Sequence, residues 1–298
     1  MENAIKYYYN LELGKLNNID NGYLFSSNNE TFFLSKSIYS EKRIKEVYEI
    51  NNKMIIRNIL VHEIVLNNFK QVVSVIDNVA YILMRVSVNL NKKISLSDVA
   101  YFSYLTSGLI DHYNLSSWPL KWAKKIDYYE QQAFEIGKKY MVAMEFFNYY
   151  VGLAENAITY INSFNESNLD ISFCHIRASV DPLQFYNPFN FIIDYKVRDL
   201  SEYVKLKFFT DSISISEIDN YIRHERLNNN DLNYFYARLL FPTYYFDMFE
   251  NIMDGLVDER TIIDIVKLSK DYEIFLHELA IYLSKFTQIE YIEWINKK

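Results

Sequence analysis

Cysteine occurs once in the chain, at Cys174. A single thiol closes no intramolecular disulfide and builds no cysteine-based zinc site, which points to a reducing, cytoplasmic setting. Glycine occurs six times and proline four times. So little punctuation excludes collagenous and low-complexity chains and suits a mostly helical protein. Positive charge is not in excess: the formal net charge is -7. A general nucleic-acid binder needs basic surface to neutralise phosphates, so no nucleic acid is expected as a partner. Long apolar runs are missing too. The run "YILMRV" is cut short by Arg85, far below the roughly 20 residues of a membrane helix. The opening "MENAIKYYYN" lacks the basic start and apolar core of a signal peptide. No membrane insertion is expected.

What is present is core-forming material. Hydrophobic residues make up 50% of the 298 and charged residues 23%, as in a folded globular protein of one large domain or two lobes. The first part reads as strands. "NLELGKL", "GYLFSS" and "TFFLSKS" are split by Asn17-Asn18 and Asn28-Asn29, which are turn signals. Ser40 then precedes "EKRIKEVYEINNKM", where Ile44, Val47, Tyr48 and Met54 recur at near-helical spacing; Ser40 is the natural N-cap. "QVVSVI" and "VAYILMRV" flank Asp77-Asn78, a hairpin pattern.

After Val86 the pattern becomes helical. "LSDVAYFSYLTSGLIDHY" reads as helix, and Pro119 opens another, where its missing N–H costs least. Ala143, Phe147, Tyr150, Val151, Ala154, Ile158 and Ile161 form one apolar stripe of a long amphipathic helix. Trp118 and Trp122, one turn apart, read as core packing. Ser201 to Thr210, Ser214 to Arg226, Asp231 to Phe241 and Thr261 to Ile295 carry further apolar stripes. The expectation is an α+β chain: a β-rich lobe with one main helix over 1–88 and a helical lobe over 89–298, with the switch near 86–95.

Between the helices lie two short apolar runs. The first leads into "FCHIR" (173–177); the second is "FIIDYKVRDLSEYVK" (191–205). With "YARLLFPTYYFD" (236–247), these stretches resemble the spore-coat CotS/YutH group, in particular its YutH-like branch, within the fold of aminoglycoside and choline phosphotransferases. The resemblance covers nearly the whole chain. It implies a bilobal protein-kinase-like fold with a small β-rich N-lobe and a large α-helical C-lobe.

In active members a His-x-Asp segment supplies the base that takes the attacking hydroxyl's proton. The matching triplet here is His175-Ile176-Arg177, and an always-charged arginine is no base. Asp181 is a weak substitute, since "VDPLQ" reads as a pre-proline extended turn. His175 reads as a buried histidine that orders the loop. The resemblance places magnesium on Asp194, with Asn187 or Asn190 as second ligand, although Asn190 stands only four residues before Asp194. Read without the resemblance, Asp194 is a strand-end cap, and Lys196 is placed to pair with it. Asp199 reads as a helix N-cap; Asp194, Asp199 and Glu202 are candidate partners of Arg177. Lys36 and Glu46 occupy the positions of the phosphate-holding lysine and its partner, and both also read as solvated surface residues. Gly14 and Gly22 form no glycine-rich phosphate cradle.

The expected function is therefore that of a catalytically degenerate kinase fold, a pseudokinase that works by binding proteins. By resemblance its context is spore-coat assembly during sporulation, in the cytoplasm or on the coat. No cofactor is expected. The alternative is an active small-molecule phosphotransferase with a displaced base, using ATP and magnesium.

Overall fold

The computed structural model describes residues 1–110, 113, 115–164, 169–225, 227–290 and 292–296, apart from the side chains at 224, 294 and 296. The chain forms two compact units. One comprises Met1–Ser95 with His175–Ile192; the other comprises Leu96–Cys174 with Ile193–Lys298.

The first unit is built on a sheet of β1 (Asn17–Ile19), β2 (Gly22–Ser27), β3 (Glu30–Lys36), β4 (Glu63–Val65), β5 (Val73–Ile76) and β6 (Val79–Val86). The strands run in the order β1-β2-β3-β6-β4, and β5 also pairs with β6. Every pairing is antiparallel. The turns Asn28-Asn29 and Asp77-Asn78 have φ of 50°, 64°, 51° and 63°, the positive values of a type I′ hairpin. "NLELGKL" is not a strand. The first strand falls instead on Asn17-Asn18, expected as a turn, and the chain reverses at Asp20-Asn21, where Asn21 has φ 62°. The short strand β4 was not expected either.

β3 and β6 are buried on both faces. Phe33, Ile82 and Met84 pack with Ile44 and Val47 of α2 (Glu41–Ile56), capped by Ser40 as expected. On the opposite face Phe32, Leu34, Tyr81 and Leu83 meet Ile5 and Tyr9. Those two belong to a helix absent from the sequence-based expectation, α1 (Glu2–Tyr9). Alternate side chains of a strand point to opposite faces, so a continuous apolar run such as Phe32–Leu34 needs cover on both sides. α1 supplies the second cover.

The second unit is helical: α3 (Leu96–Ser107), α4 (Trp118–Ile136), α5 (Met141–Asn162), α7 (Val197–Thr210), α8 (Ile215–Glu225), α9 (Asn229–Leu240), α10 (Thr243–Met253), α11 (Ile262–Lys267), α12 (Ser269–Leu283) and α13 (Glu293–Asn296). Between α5 and α7 run β7 (Ile171–His175), the single turn α6 (Pro182–Phe185) and β8 (Phe191–Tyr195). β7 and β8 form a two-stranded sheet. Arg226 and residues 111–112, which the sequence-based helices included, lie outside the described residues. The stretch expected as helix from Thr261 to Ile295 is divided at Leu268 and again beyond Leu283. α9 is the centre of the unit: every residue from Asp231 to Leu240 is buried. A helix buried all round belongs inside a core, and its polar residues Asn233 and Arg238 are hydrogen-bonded there, to Tyr160 and Glu202. Its start is closed by a capping box, in which Asn228 and Asp231 each accept the other's backbone N–H. Among the described residues no helix is long and apolar enough to cross a membrane.

Candidate functional site

Asp194 is the penultimate residue of β8, which ends on Tyr195, and α7 begins two residues later at Val197. Lys196 already has helical φ and ψ of −56° and −30°. The alternation of a strand is lost there, and helical winding returns Arg198, four residues on, over Asp194. Arg198 Nη1 donates to Asp194 Oδ2 at 2.8 Å. Trp118 Nε1 donates to Oδ1 at 2.8 Å, and the Tyr195 N–H donates to the same oxygen at 2.9 Å. Asp194 is 2% exposed. A buried charge must be paired and hydrogen-bonded; here both oxygens are engaged by protein donors.

Lys196, expected to pair with Asp194, goes elsewhere. Its Nζ lies 2.8 Å from Asp170 and 3.8 Å from Asp231. Asp199 stands in the first turn of α7 rather than at its cap, because the helix begins at Val197, and it is buried. Glu202, one turn further, accepts from Arg238 Nε at 2.8 Å and from Thr243 Oγ1 at 3.1 Å, and lies 2.9 Å from Lys205 Nζ. Burial alone would raise the Glu202 carboxyl pKa; Lys205, Arg238 and Arg198 outweigh it and hold the group below its ordinary range. Burial brings Lys205 down to about 8, against the pull of Glu202. Lys205 Nζ also donates to the carbonyls of Arg238 and Phe241, satisfying acceptors left open at the end of α9. The Arg238 guanidinium lies 4.6 Å from the Trp118 ring centroid, a cation–π contact. Asp194, Asp199 and Glu202 are thus balanced by Arg198, Lys205 and Arg238.

His175 is buried at the end of β7. Its Nε2 pairs with the Phe185 carbonyl at 2.8 Å, and its ring stacks on Phe185 at 4.1 Å. Arg177 is exposed. Asn190 closes the segment behind it. Its Oδ1 accepts the Arg177 N–H at 3.2 Å, and its Nδ2 donates to the Arg177 and Gln184 carbonyls. Asn187 Oδ1 accepts the Phe189 N–H. Asp181 caps α6, its Oδ1 accepting the Leu183 N–H at 2.9 Å, with Pro182 as the first helical residue. Lys36 is exposed at the end of β3. Glu46 lies 4.0 Å from Lys42 on its own helix.

The donor set does not suit a magnesium ion. Among the described residues no three His, Cys, Asp or Glu side chains cluster to hold a metal. Oxygen-preferring cations need several free oxygens, while Asp194 spends both of its own on Trp118, Tyr195 and Arg198. Arg198, Arg238 and Lys205 escaped the sequence-based site. The i,i+4 spacing of Asp194 and Arg198 and the i,i+3 spacing of Glu202 and Lys205 on α7 were the local signals for two of them; Arg238 comes from α9, whose packing no local pattern reveals.

The fold matches solved phosphotransferases. An aminoglycoside phosphotransferase from Alicyclobacillus acidocaldarius aligns over 96% of this chain and 97% of that one, with a TM-score of 0.64 and 8% identity. Spectinomycin phosphotransferase, solved with ADP and spectinomycin, aligns over 96% and 98%, with a TM-score of 0.57 and 12% identity. Identities this low establish the fold alone: an α+β kinase-like fold with a small antiparallel sheet N-lobe and a large helical C-lobe. Endospore coat-associated protein YutH of Bacillus subtilis (strain 168) is 25% identical over 218 residues, which are 61% of this chain and 62% of that protein. The match therefore spans less than two thirds of that relative. The family described as "Spore coat putative kinase YutH" matches residues 2–279, and the chain belongs to that spore-coat YutH family of kinase-like fold.

Proposed function

We propose that this protein is a catalytically degenerate kinase fold that acts in the spore coat by binding other proteins. The carrying observation is the state of Asp194. At the position where the fold would place a metal-holding carboxylate, Trp118 and Arg198 donate to its two oxygens within 2.8 Å. A divalent ion would have to evict a buried guanidinium and strand it. Removing one partner of a buried ion pair costs about 3–5 kcal/mol. Arg177 at the base position and the Asp181 cap point the same way. Phosphoryl transfer depends on positioning and charge neutralisation, and neither survives in these side chains. The coat-associated relative supports the coat setting.

The test is a thermal-shift series with ATP, with and without magnesium, joined to a turnover assay. A ligand that binds only the folded state raises its stability by mass action. The expected result is no magnesium-dependent shift and no ATP consumption. Arg177→Asp alone is expected to restore neither. Magnesium-dependent ATP turnover by the unmodified chain would overturn the reading in favour of an active small-molecule phosphotransferase.

A further inference from the structure

Two surfaces of opposite character remain outside the site. In the first unit, Tyr7 is 63% exposed and Phe69 54%, and their rings lie 5.8 Å apart. This is not a loose pair. Asn67 is buried; its Oδ1 accepts the N–H groups of Phe69 and Gln71, and its Nδ2 donates to Val73 O and Ser74 Oγ. Asn68 ties the same loop to α1 through the Tyr7 and Tyr8 carbonyls, at 2.8 and 2.7 Å. The loop thus spends a buried amide on presenting an aromatic ring to solvent. Apolar side chains held rigid in this way form a pre-organised contact surface. Lys6 and Lys70, both exposed, flank it.

In the second unit the turn after α10 presents Leu256, 71% exposed, between the exposed carboxylates of Asp254 and Asp258. Gly255, at φ +70°, makes that turn. Glu259 fastens the turn's far side, accepting the Val142 N–H at 2.9 Å. Next to it lies a recess lined by Met141, Val142, Met144 and Glu145. Methionine-lined recesses adapt to large apolar side chains.

The two units carry formal charges of opposite sign. The first holds 13 Lys and Arg against 10 Asp and Glu, a formal +3; the second holds 18 against 28, a formal −10. We propose that the protein self-associates: the aromatic patch around Tyr7 and Phe69, with Lys6 and Lys70, of one copy docks on the acidic turn around Leu256 of a second copy, with the methionine recess beside that turn taking an aromatic ring and the exposed Lys138, Lys139 and Arg260 at its rim. Opposite charges steer the encounter and exclude like-with-like pairing. Because the two surfaces differ, the contact is heterologous, and it propagates into a ring or an open chain. The inference rests on the reading of the chain as a binding protein and names one of its partners: itself.

Sedimentation of the full chain at about 0.1 M and about 1 M salt tests it, since the Debye length falls from about 10 Å to about 3 Å between them. At the lower salt the mass is expected to climb above 35.7 kDa with concentration; at the higher it is expected to fall back. Lys6→Glu with Lys70→Glu, or Asp254→Lys with Asp258→Lys, is expected to weaken association at least roughly tenfold. Mixing the two charge-reversed proteins is expected to restore it. A benzophenone amino acid in place of Phe69 is expected to crosslink to the Met141–Glu145 or Asp254–Glu259 stretch of another copy. A monomer at every concentration and salt overturns the inference, as does association indifferent to both reversals, or a crosslink from Phe69 to its own patch. An inert monomer leaves the degenerate-kinase reading standing, whereas an assembling protein that consumes ATP defeats that reading and keeps the contact.

Discussion

Arg198 and Arg177 lie 21 positions apart in sequence order and differ completely in what they hold. The side chain of Arg198 is 16% exposed and pairs with an Asp194 side chain that is 3% exposed. Arg198→Ala leaves a buried carboxylate uncompensated and is expected to cost about 3–5 kcal/mol in chemical denaturation. Arg177 is exposed, so Arg177→Ala is expected to cost only about 0–1 kcal/mol. His62 behaves differently from both. It is fully buried, and neither ring nitrogen has a hydrogen-bond partner among the described residues. Burial depresses its pKa to about 4, while the Leu183 and Pro182 carbonyls oppose this without reaching hydrogen-bond geometry. The unfolded chain binds a proton near pH 6.5 that the folded chain refuses. This contribution to stability is therefore complete above about pH 6.5 and is lost as pH falls through 4, a change of about 3 kcal/mol. His62→Phe is expected to flatten that limb of a Tm–pH profile; an unchanged slope would assign the acid sensitivity to other groups.

Scarce glycine is replaced by asparagine at the scale of the elements. Among the described residues, eight non-glycine residues have positive φ, and six of them are Asn: 10, 21, 28, 29, 58 and 78. Asparagine tolerates the left-handed region better than other side-chain-bearing residues, so the hairpins form with little glycine. That makes the Asn-rich turns legible in sequence, and Asn28-Asn29 and Asp77-Asn78 were read correctly. Asn17-Asn18 was not, because the same residue type also tolerates an edge strand. Gly22 answers a different demand. A Cβ there would stand 2.1 Å from the Leu34 carbonyl oxygen on β3. Backbone oxygen cannot rotate away, so Gly22→Ala is expected to destabilise by about 1–3 kcal/mol or more, read from urea midpoints. An unshifted midpoint would show that β2 can slide without loss.

The whole molecule decides where the segment 175–192 belongs. Leu183 and Phe189 pack with Phe33, Ile44 and Val47. Backbone bonds from His62 to the Tyr186 carbonyl and from Ile94 to the Val180 carbonyl, each 2.9 Å, fasten the segment to the first unit. A fragment of residues 1–95 would leave the α2 side of its sheet without those two side chains. It is expected to show no cooperative thermal transition alone, and to gain one when residues 175–192 are joined to it by a flexible linker. Cooperative folding of the bare fragment would place the core of this unit wholly within residues 1–95.

The sequence by itself determined the class of the molecule: short β-rich segments with Asn turns, then long helical stripes, because period and turn chemistry are local properties. It also determined that residue 177 is an arginine, which cannot serve as a base, since that needs only residue identity. Tertiary structure decided the rest. α1 is helical because a doubly buried sheet needs cover on its second face. Asp194 is held by Trp118 and Arg198 rather than by Lys196. Which cation reaches a buried carboxylate depends on the winding of α7 and on a tryptophan 76 residues away in sequence, and neither is written in the local pattern.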